Sequence, residues 1–166
     1  GEDYVIRMKI PANKTIVVED LARGEVKFKS NLLDDQVLLK ADGFPTYHLA
    51  VVIDDHLMEI SHVVRGEDWL PSAPKHILLY KYFDWEPPKF LHNPLFRNRD
   101  KSKMSKRQGD VSVSLYKKEG FLAEAMKNYL ALMGWSHPEE KEIFSENEFR
   151  KHFKLEDVSP IGPVFD

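Results

Sequence analysis

Three apolar runs separated by polar clusters, between residues 47 and 96, constrain the fold of this chain more than any other feature. The runs from Tyr47 to Ile53, from Ile60 to Val64 and from Phe90 to Phe96 each have the length and character of a buried strand. An amphipathic run from Lys75 to Phe83 follows a serine and two prolines, which are helix-start signals. Strand, helix and strand in this order predict a βαβ unit with parallel strands, and therefore the α/β fold class.

Polar clusters follow each predicted strand and indicate where a ligand would bind. Asp54 and Asp55 follow the first strand, residues 65–69 follow the second, and a basic segment follows the third. In parallel sheets, ligands bind beyond the carboxyl ends of the strands. The sequence therefore predicts that these three clusters converge on one edge of the sheet.

Smaller elements are predicted on either side of this unit. Short strand patterns predict an antiparallel or mixed β element in residues 4–10, 16–19, 26–28 and 37–39. Helices are predicted for residues 112–119, 122–133 and 145–153. Gly134 is expected to cap the second helix, and Ser145 with Glu148 has the spacing of a capping box. Both ends of the sequence are expected to lie inside a longer protein. The N-terminal end begins within a strand pattern, and Asp166 would suit the N-cap of a helix although no helix follows it.

Composition limits the class of protein. The 166 residues are 42% hydrophobic and 31% charged, which suits one or two small soluble globular units. No run approaches roughly eighteen consecutive apolar residues and no charged-then-apolar leader is visible, so we expect neither a membrane span nor secretion. The sequence has no cysteine, which excludes disulfides and thiolate metal sites within it and is compatible with a cytoplasmic location.

One segment is strongly basic. The net charge of the chain is −3, yet Arg97 to Arg107 contains six basic residues and one acid. This predicts a site for an anion or a phosphate backbone, although a solvated surface loop can have the same composition. Lys103 and Lys106 are close enough in sequence for both to reach one polyphosphate and stabilise the charge that phosphoryl or adenylyl transfer develops. No Gly-rich Walker motif is present, which excludes a P-loop enzyme.

Other candidate side chains have structural alternatives. Tyr47 could be a core aromatic at a strand end, Arg65 could form an ion pair with a nearby carboxylate, and Trp69 could serve packing alone. The adjacent acids Asp54 and Asp55 would point to opposite sides of a strand, and the seven histidines lack metal-ligand spacing. No protein-bound metal is therefore predicted.

Lys103 to Arg107 (KMSKR) resembles the KMSKS signature of class I aminoacyl-tRNA synthetases. Almost the whole sequence also resembles bacterial-type glutamyl-tRNA synthetases, with the matching segments in the same order and at similar spacing. These segments are DGFPTY from Asp42, VVIDD from Val51, VRGED from Val64, GDVSV from Gly109 and YLALMGW from Tyr129.

The resemblance implies three parts. Residues 1–46 would be the end of a β-containing insertion that binds the tRNA acceptor arm. Residues 47–96 would be the second half of a Rossmann-like catalytic fold, and residues 97–166 the KMSKR segment with a helical stem-contact region. The other signature of the family, HIGH, does not occur in the sequence. The isolated chain is therefore expected not to form glutamyl-adenylate.

The resemblance also implies a reaction and its residues. These enzymes activate glutamate with ATP, which is expected with Mg²⁺, and transfer the glutamyl group to tRNA(Glu). Lys103 and Lys106 would stabilise the departing pyrophosphate. Tyr47, Arg65 and Asp68 would bind glutamate, since a guanidinium pairs bidentately with a carboxylate and not with an amide. The residues implied in ATP binding are Trp69, Leu95, Phe96, Lys103, Met104, Ser105 and Lys106.

Two departures and two alternatives accompany this interpretation. Asp68 is shorter than the glutamate that some members carry, and Val51 stands where some carry asparagine. A stand-alone RNA-binding module would also use a basic segment, but half of a Rossmann sheet would leave an edge that something must cover. The other alternative is a glutaminyl- or glutamyl-queuosine-type synthetase, against which residues 64–69 weigh because they resemble the glutamyl type.

Overall fold

The computed structural model describes residues 4–104 and 112–165. The chain divides into two compact units, Gly1–Leu91 and His92–Asp166, which are described separately. The first unit is built on a four-stranded sheet whose members are β2 (Thr15–Asp20), β3 (Gly24–Lys29), β5 (His62–Gly66) and β6 (Lys89–Asn93). Their order is β3–β2–β6–β5, with β2 antiparallel to β3 and parallel to β6, so the sheet is mixed.

The β2–β3 hairpin follows directly from local sequence. Along β2 exposed and buried residues alternate, with Ile16 and Val18 facing the core, which is the period-two pattern of a half-buried strand. At the turn, the Asp20 carboxylate accepts hydrogen bonds from the backbone N–H groups of Ala22 and Arg23, each at 3.1 Å. Gly24 has φ +67°, a conformation that glycine adopts without steric cost. The predicted strands and turn of this region are therefore confirmed.

A second, two-stranded sheet pairs β1 (Ile6–Arg7) with β4 (Val37–Leu39) in antiparallel orientation. The prediction of a strand across residues 4–10 was too long, since only Ile6 and Arg7 pair with β4, with an irregular register between them. Beyond the strand, Met8 still donates its N–H to Gln36 O at 2.9 Å and is buried in the core.

The first of the three apolar runs is a helix, not a strand. Helix α1 spans Tyr47–Leu57, and the prediction of a buried strand over 47–53 was wrong. A short apolar run fits a buried strand and one face of a helix equally well. Here Val52 is 1% exposed and packs in the core, whereas Asp54 and Leu57 on other faces are exposed. Asp54 and Asp55 consequently lie within this helix, so the prediction that they follow a strand end was wrong.

The other two strands and the helix between them are present, although the strand predicted over 90–96 ends at Asn93, just before Pro94. After β5 comes a 3-10 helix, Glu67–Ser72, which leads into α2 (Ala73–Tyr82) and then β6. Pro74 lies in the first turn of α2, where the missing N–H costs no hydrogen bond. Most of α2 is buried, and with the sheet and α1 it forms one core. Its buried members are Met8, Ile16, Leu38, Val52, Leu78, Leu79, Tyr80 and Phe90.

The second unit is helical, as predicted. It contains α3 (Val113–Lys118), α4 (Ala123–Gly134) and α5 (Glu146–His152). Both hydrogen bonds of the capping box between Ser145 and Glu148 are present, so that prediction is confirmed. Gly134 was expected to follow α4 as its cap, but it is the last helical residue, and Trp135 continues in extended conformation.

Candidate active site

Arg65 is at the centre of the candidate site in the first unit. It lies on β5, next to the end of the strand, and its Cζ is 5.9 Å from the centre of the Trp69 ring and 5.6 Å from that of Phe90. Burial lowers the pKa of Arg65 from its ordinary value, while interactions with Tyr47, including a hydrogen bond, and with the Asp55 carboxylate oppose that shift. An arginine remains protonated under such conditions, so the site presents a partly desolvated cation.

Tyr47 and Trp69 form an aromatic wall beside this cation. Their ring centres are 4.8 Å apart with a tilt of 44°. Tyr47 is 48% exposed and Trp69 is 38% exposed, so both rings pack together and still face solvent. The alternative of Tyr47 as a core aromatic is therefore excluded. Tyr47 reaches Arg65 from the first turn of α1, not from the strand end that the sequence predicted.

Asp68 and Asp55 are the acidic groups around this site. Asp68 is exposed and precedes Trp69 in the 3-10 helix that follows β5. Asp55 lies further along α1, where burial raises the pKa of its carboxyl against the opposing charge of Arg65. The end of β5, the 3-10 helix after it and the first turn of α1 therefore bring together the Arg65 cation, the exposed Asp68 carboxylate and the Tyr47 and Trp69 rings.

The second unit contains the other candidate residues. Arg97 forms an antiparallel β-bridge with Lys103 and a parallel β-bridge with Val164. The first part of the basic segment is therefore held by backbone pairing. Met104 N donates to Phe96 O at 3.0 Å, and Arg97 N donates to Pro163 O at 2.9 Å. Lys103 is exposed on this paired backbone. Ser105 and Lys106 lie outside the described residues.

Phe96 and Leu95 lie on the segment just before this backbone pairing. The Phe96 ring packs against Phe165 with ring centres 5.8 Å apart. Phe96 also lines an apolar cavity of about 250 Å³ whose other walls include Leu130 and Trp135. The lining of this cavity is mostly apolar and aromatic.

The comparisons with known proteins agree on one family. The family described as tRNA synthetases class I (E and Q), catalytic domain, matches residues 1–166, the whole chain. The chain belongs to this family. The resemblance found in the sequence is thereby confirmed, and the α/β fold agrees with that of the class I synthetase catalytic domain.

Relatives of this class I synthetase chain are glutamate–tRNA ligases. The chain is 55% identical over 166 residues to the one from Alkaliphilus metalliredigens, covering 100% of this chain and 34% of the relative. It is 57% identical to that of a Marinomonas species, with the same coverage. The chain thus spans about a third of the length of the curated relatives it matches.

Solved structures give the same result. The glutamate–tRNA synthetase of Elizabethkingia anophelis has a TM-score of 0.90 and 42% identity to this class I synthetase chain, covering 99% of this chain and 37% of that structure. The glutamate tRNA ligase of Elizabethkingia meningosepticum, solved in complex with its amino acid, has the same TM-score and identity and covers 99% and 36%.

Two histidines of this class I synthetase chain contact the site, although the sequence did not predict them as site residues. His76 Nδ1 is 3.3 Å from Arg65 Nη1, and His76 Nε2 is 2.8 Å from His48 Nδ1. Neither histidine belongs to a motif with recognisable spacing. The available signal was His76 within the apolar run of α2, because a histidine buried there must find polar partners.

In residues 4–104 and 112–165, no group of three or more histidines and carboxylates is placed to hold a metal ion. No helix in those same ranges is long and apolar enough to cross a membrane.

Proposed function

We propose that this chain is part of a glutamate–tRNA ligase. In the first step a glutamate α-carboxylate oxygen would attack the α-phosphorus of ATP, and the bond to the β-phosphate oxygen would break to release pyrophosphate. In the second step a terminal hydroxyl of tRNA(Glu) would attack the activated carbonyl and release AMP. The observation that carries the proposal is the Arg65 guanidinium, held beside Tyr47 and Trp69 in a partly buried position.

Arg65, Tyr47 and Asp68 are the residues we assign to glutamate. The guanidinium of Arg65 would pair with the side-chain carboxylate, and partial burial would strengthen that pair relative to one in water. A glutamine amide lacks the charge and the second acceptor oxygen, so the same site would reject it. The Tyr47 hydroxyl would add a hydrogen bond, and the exposed Asp68 carboxylate would attract the α-ammonium group.

The residues we assign to ATP lie mainly in the second unit. Lys103 and Lys106 would neutralise the phosphates of ATP, which would enter as its Mg²⁺ complex, and would stabilise the departing pyrophosphate. Phe96 and Leu95, with the backbone near Met104 and Ser105, would contact adenine. Trp69 would add an aromatic face. Such a ligase acts on tRNA in the cytoplasm, and we propose the same location here.

Calorimetric titration with non-hydrolysable glutamyl-adenylate and glutaminyl-adenylate analogues tests the proposal. Wild type is expected to prefer the glutamyl analogue. Arg65→Ala is expected to lose that preference, since removing a charge-assisted hydrogen-bonding group costs about 1.5–3 kcal/mol or more. Arg7→Ala is the matched control, because Arg7 is an exposed arginine of the same unit whose guanidinium donates to the backbone oxygen of Asp35.

Three results would contradict the proposal. The first is an equal or higher affinity for the glutaminyl analogue. The second is an unchanged preference in Arg65→Ala. The third is binding of tRNA with steep salt dependence but of neither analogue, which would favour an RNA-binding module instead.

A further inference from the structure

Hydrogen-bond chemistry fixes the protonation of His76. The Arg65 guanidinium only donates hydrogen bonds, and its Nη1 lies 3.3 Å from His76 Nδ1. His76 Nδ1 must therefore accept, which requires an unprotonated nitrogen at that position. The imidazole is consequently neutral and carries its proton on Nε2.

The same argument extends to His48. His76 Nε2 lies 2.8 Å from His48 Nδ1, and since Nε2 carries the proton, it donates. His48 Nδ1 must accept, so His48 is also neutral with its proton on Nε2. His76 is 2% exposed, so water cannot replace either of its hydrogen bonds without a rearrangement of α2. The result is a series of two hydrogen bonds, in which Arg65 donates to His76 and His76 donates to His48.

The charged surroundings favour the neutral form of this chain of residues. Burial lowers the pKa of His48, and the positive charges of Lys75 and Arg65 lower it further, whereas Asp34 acts in the opposite direction. Asp34 is itself held by Lys75, whose Nζ lies 2.6 Å from its Oδ1. The titratable and charged groups that act on His48 are thus Tyr47 on α1, Lys75 and His76 on α2, Arg65 on β5, and Asp34.

We propose that His76 is a positioning residue that fixes the orientation of the Arg65 guanidinium, and that His48 fixes the tautomer of His76. The proposal rests on the proposed function, in which Arg65 binds the glutamate carboxylate. A bidentate pair needs the guanidinium plane in one orientation. A neutral acceptor on one side of the guanidinium restrains that plane without neutralising its positive charge. Protonation of either histidine would replace an acceptor nitrogen with a donor and break one of the two hydrogen bonds that connect Arg65, His76 and His48.

Three variants separate positioning from folding. His76→Phe keeps a ring of similar size and removes both hydrogen bonds. His76→Asn places an amide oxygen close to the position of Nδ1, so it can still accept from Arg65. His62→Asn is the control, because His62 lies on the same strand as Arg65 and its Nδ1 is hydrogen-bonded to the neighbouring Ser61 hydroxyl.

NMR of the 166-residue chain gives a readout that does not depend on any ligand. Long-range nitrogen–proton correlations are expected to show His76 and His48 neutral, with protons on Nε2, at neutral pH. Rotation of the Arg65 guanidinium is expected to be slow in wild type and in His76→Asn, and fast in His76→Phe. An Nδ1-protonated or doubly protonated His76, or equally slow rotation in His76→Phe, overturns the proposal.

Binding of the glutamyl-adenylate analogue gives the functional readout. His76→Phe is expected to weaken it about tenfold or more, His76→Asn to recover most of the loss, and His62→Asn to leave it unchanged. Wild-type affinity should also fall at a pH below the ordinary histidine pKa of about 6.5, because burial lowers the pKa of His48 and its protonation needs a more acidic solution. Unchanged affinity in His76→Phe overturns the positioning role. If neither wild type nor any variant binds the glutamyl-adenylate analogue while the NMR results are as expected, the proposed function is contradicted, and the hydrogen bonds between Arg65, His76 and His48 still stand.

Discussion

Nη2 of Arg23 lies 2.5 Å from Oε2 of Glu67. Arg23 is in the β2–β3 turn, and Glu67 begins the 3-10 helix that follows β5 and Arg65. The contact therefore links the hairpin to the segment that carries Asp68 and Trp69. Both side chains are mostly covered, at 20% and 28% exposure.

Arg23→Ala is expected to lower the free energy of unfolding by about 1–2 kcal/mol, because it leaves the partly buried Glu67 carboxylate without this partner. Lys27→Ala is the control, since Lys27 and Glu25 form a pair that is 63% and 61% exposed, and exposed pairs contribute little. Urea unfolding of both variants measures the difference. Equal effects of the two substitutions would show that the Arg23–Glu67 pair contributes no more than a surface pair.

Tyr80→Phe is expected to leave stability unchanged or to raise it by up to about 1 kcal/mol. The Tyr80 side chain is 2% exposed, and its hydroxyl makes no hydrogen bond within residues 4–104 and 112–165. Removing a buried hydroxyl without a partner removes its desolvation penalty. The same environment, with Asp55 nearby, raises the pKa of Tyr80 to about 12.

Tyr82→Phe is the matched comparison for Tyr80→Phe. The Tyr82 hydroxyl donates to Lys9 O at 2.6 Å, so its loss is expected to destabilise by about 0.5–1.5 kcal/mol. In thermal and urea unfolding, the two variants should change the free energy of unfolding in opposite directions or by clearly different amounts. Destabilisation by Tyr80→Phe as large as that of Tyr82→Phe would mean that the buried hydroxyl has a partner in solution.

Gly162→Ala is expected to destabilise the second unit by about 1–3 kcal/mol. A Cβ at this position would lie 2.7 Å from Leu95 O and 2.9 Å from Arg97 Nε. Leu95 O belongs to the backbone and cannot move aside alone, so the pairing of Arg97 with Lys103 would shift. Lys103 and Met104 would lose their defined position as a result.

Gly134→Ala is the control for Gly162→Ala. No atom lies within 4 Å of a Cβ built on Gly134, and the residue is the last of α4. Alanine there is expected to be neutral or to stabilise by about 0.4–1 kcal/mol through its helix propensity. A Gly162→Ala protein as stable as Gly134→Ala would contradict the close approach of the two backbone segments.

Asp55→Asn is expected to stabilise the chain, and the gain should depend on pH. Burial raises the pKa of Asp55 in the folded state, so the folded state prefers the protonated acid. Below the ordinary pKa near 4 the side chain is uncharged in both states, and the substitution should have little effect. As pH rises through the raised pKa, wild type must ionise a partly buried group, so the advantage of the asparagine grows and then levels off.

Urea unfolding from about pH 3 to about pH 7 measures this dependence. Asp54→Asn is the control, because it removes a carboxylate from an exposed position of the same helix and so reports the effect of the α1 dipole. A gain from Asp55→Asn that matches Asp54→Asn at every pH would show that burial of Asp55 contributes nothing.

Local signals predicted most elements, and non-local contacts account for what was missed. The Ser145 capping box and the turn at Gly24 act within a few residues, so the sequence alone specifies them. The run beginning at Tyr47 was assigned to the wrong element because only packing of Val52 against the core distinguishes a helix from a strand there.

The candidate site shows the same division. Arg65, Tyr47 and Trp69 were named from a family resemblance, and the structure brings these three together. His48 and His76 come from different helices, and no local pattern connects them. Their contact exists only because α1 and α2 pack against each other, which is a property of the whole fold.

The parallel pairing of Asp20 with Phe90 has a consequence for synthesis on the ribosome. The β2–β3 hairpin can close within about microseconds of emerging, because its strands are adjacent in the chain. β6 emerges only after the intervening residues are made, which takes roughly several seconds at cellular rates of elongation. Throughout that interval the hydrogen-bonding edge of β2 that β6 will occupy is open to other nascent strands, so misassociation is most probable before Phe90 leaves the exit tunnel.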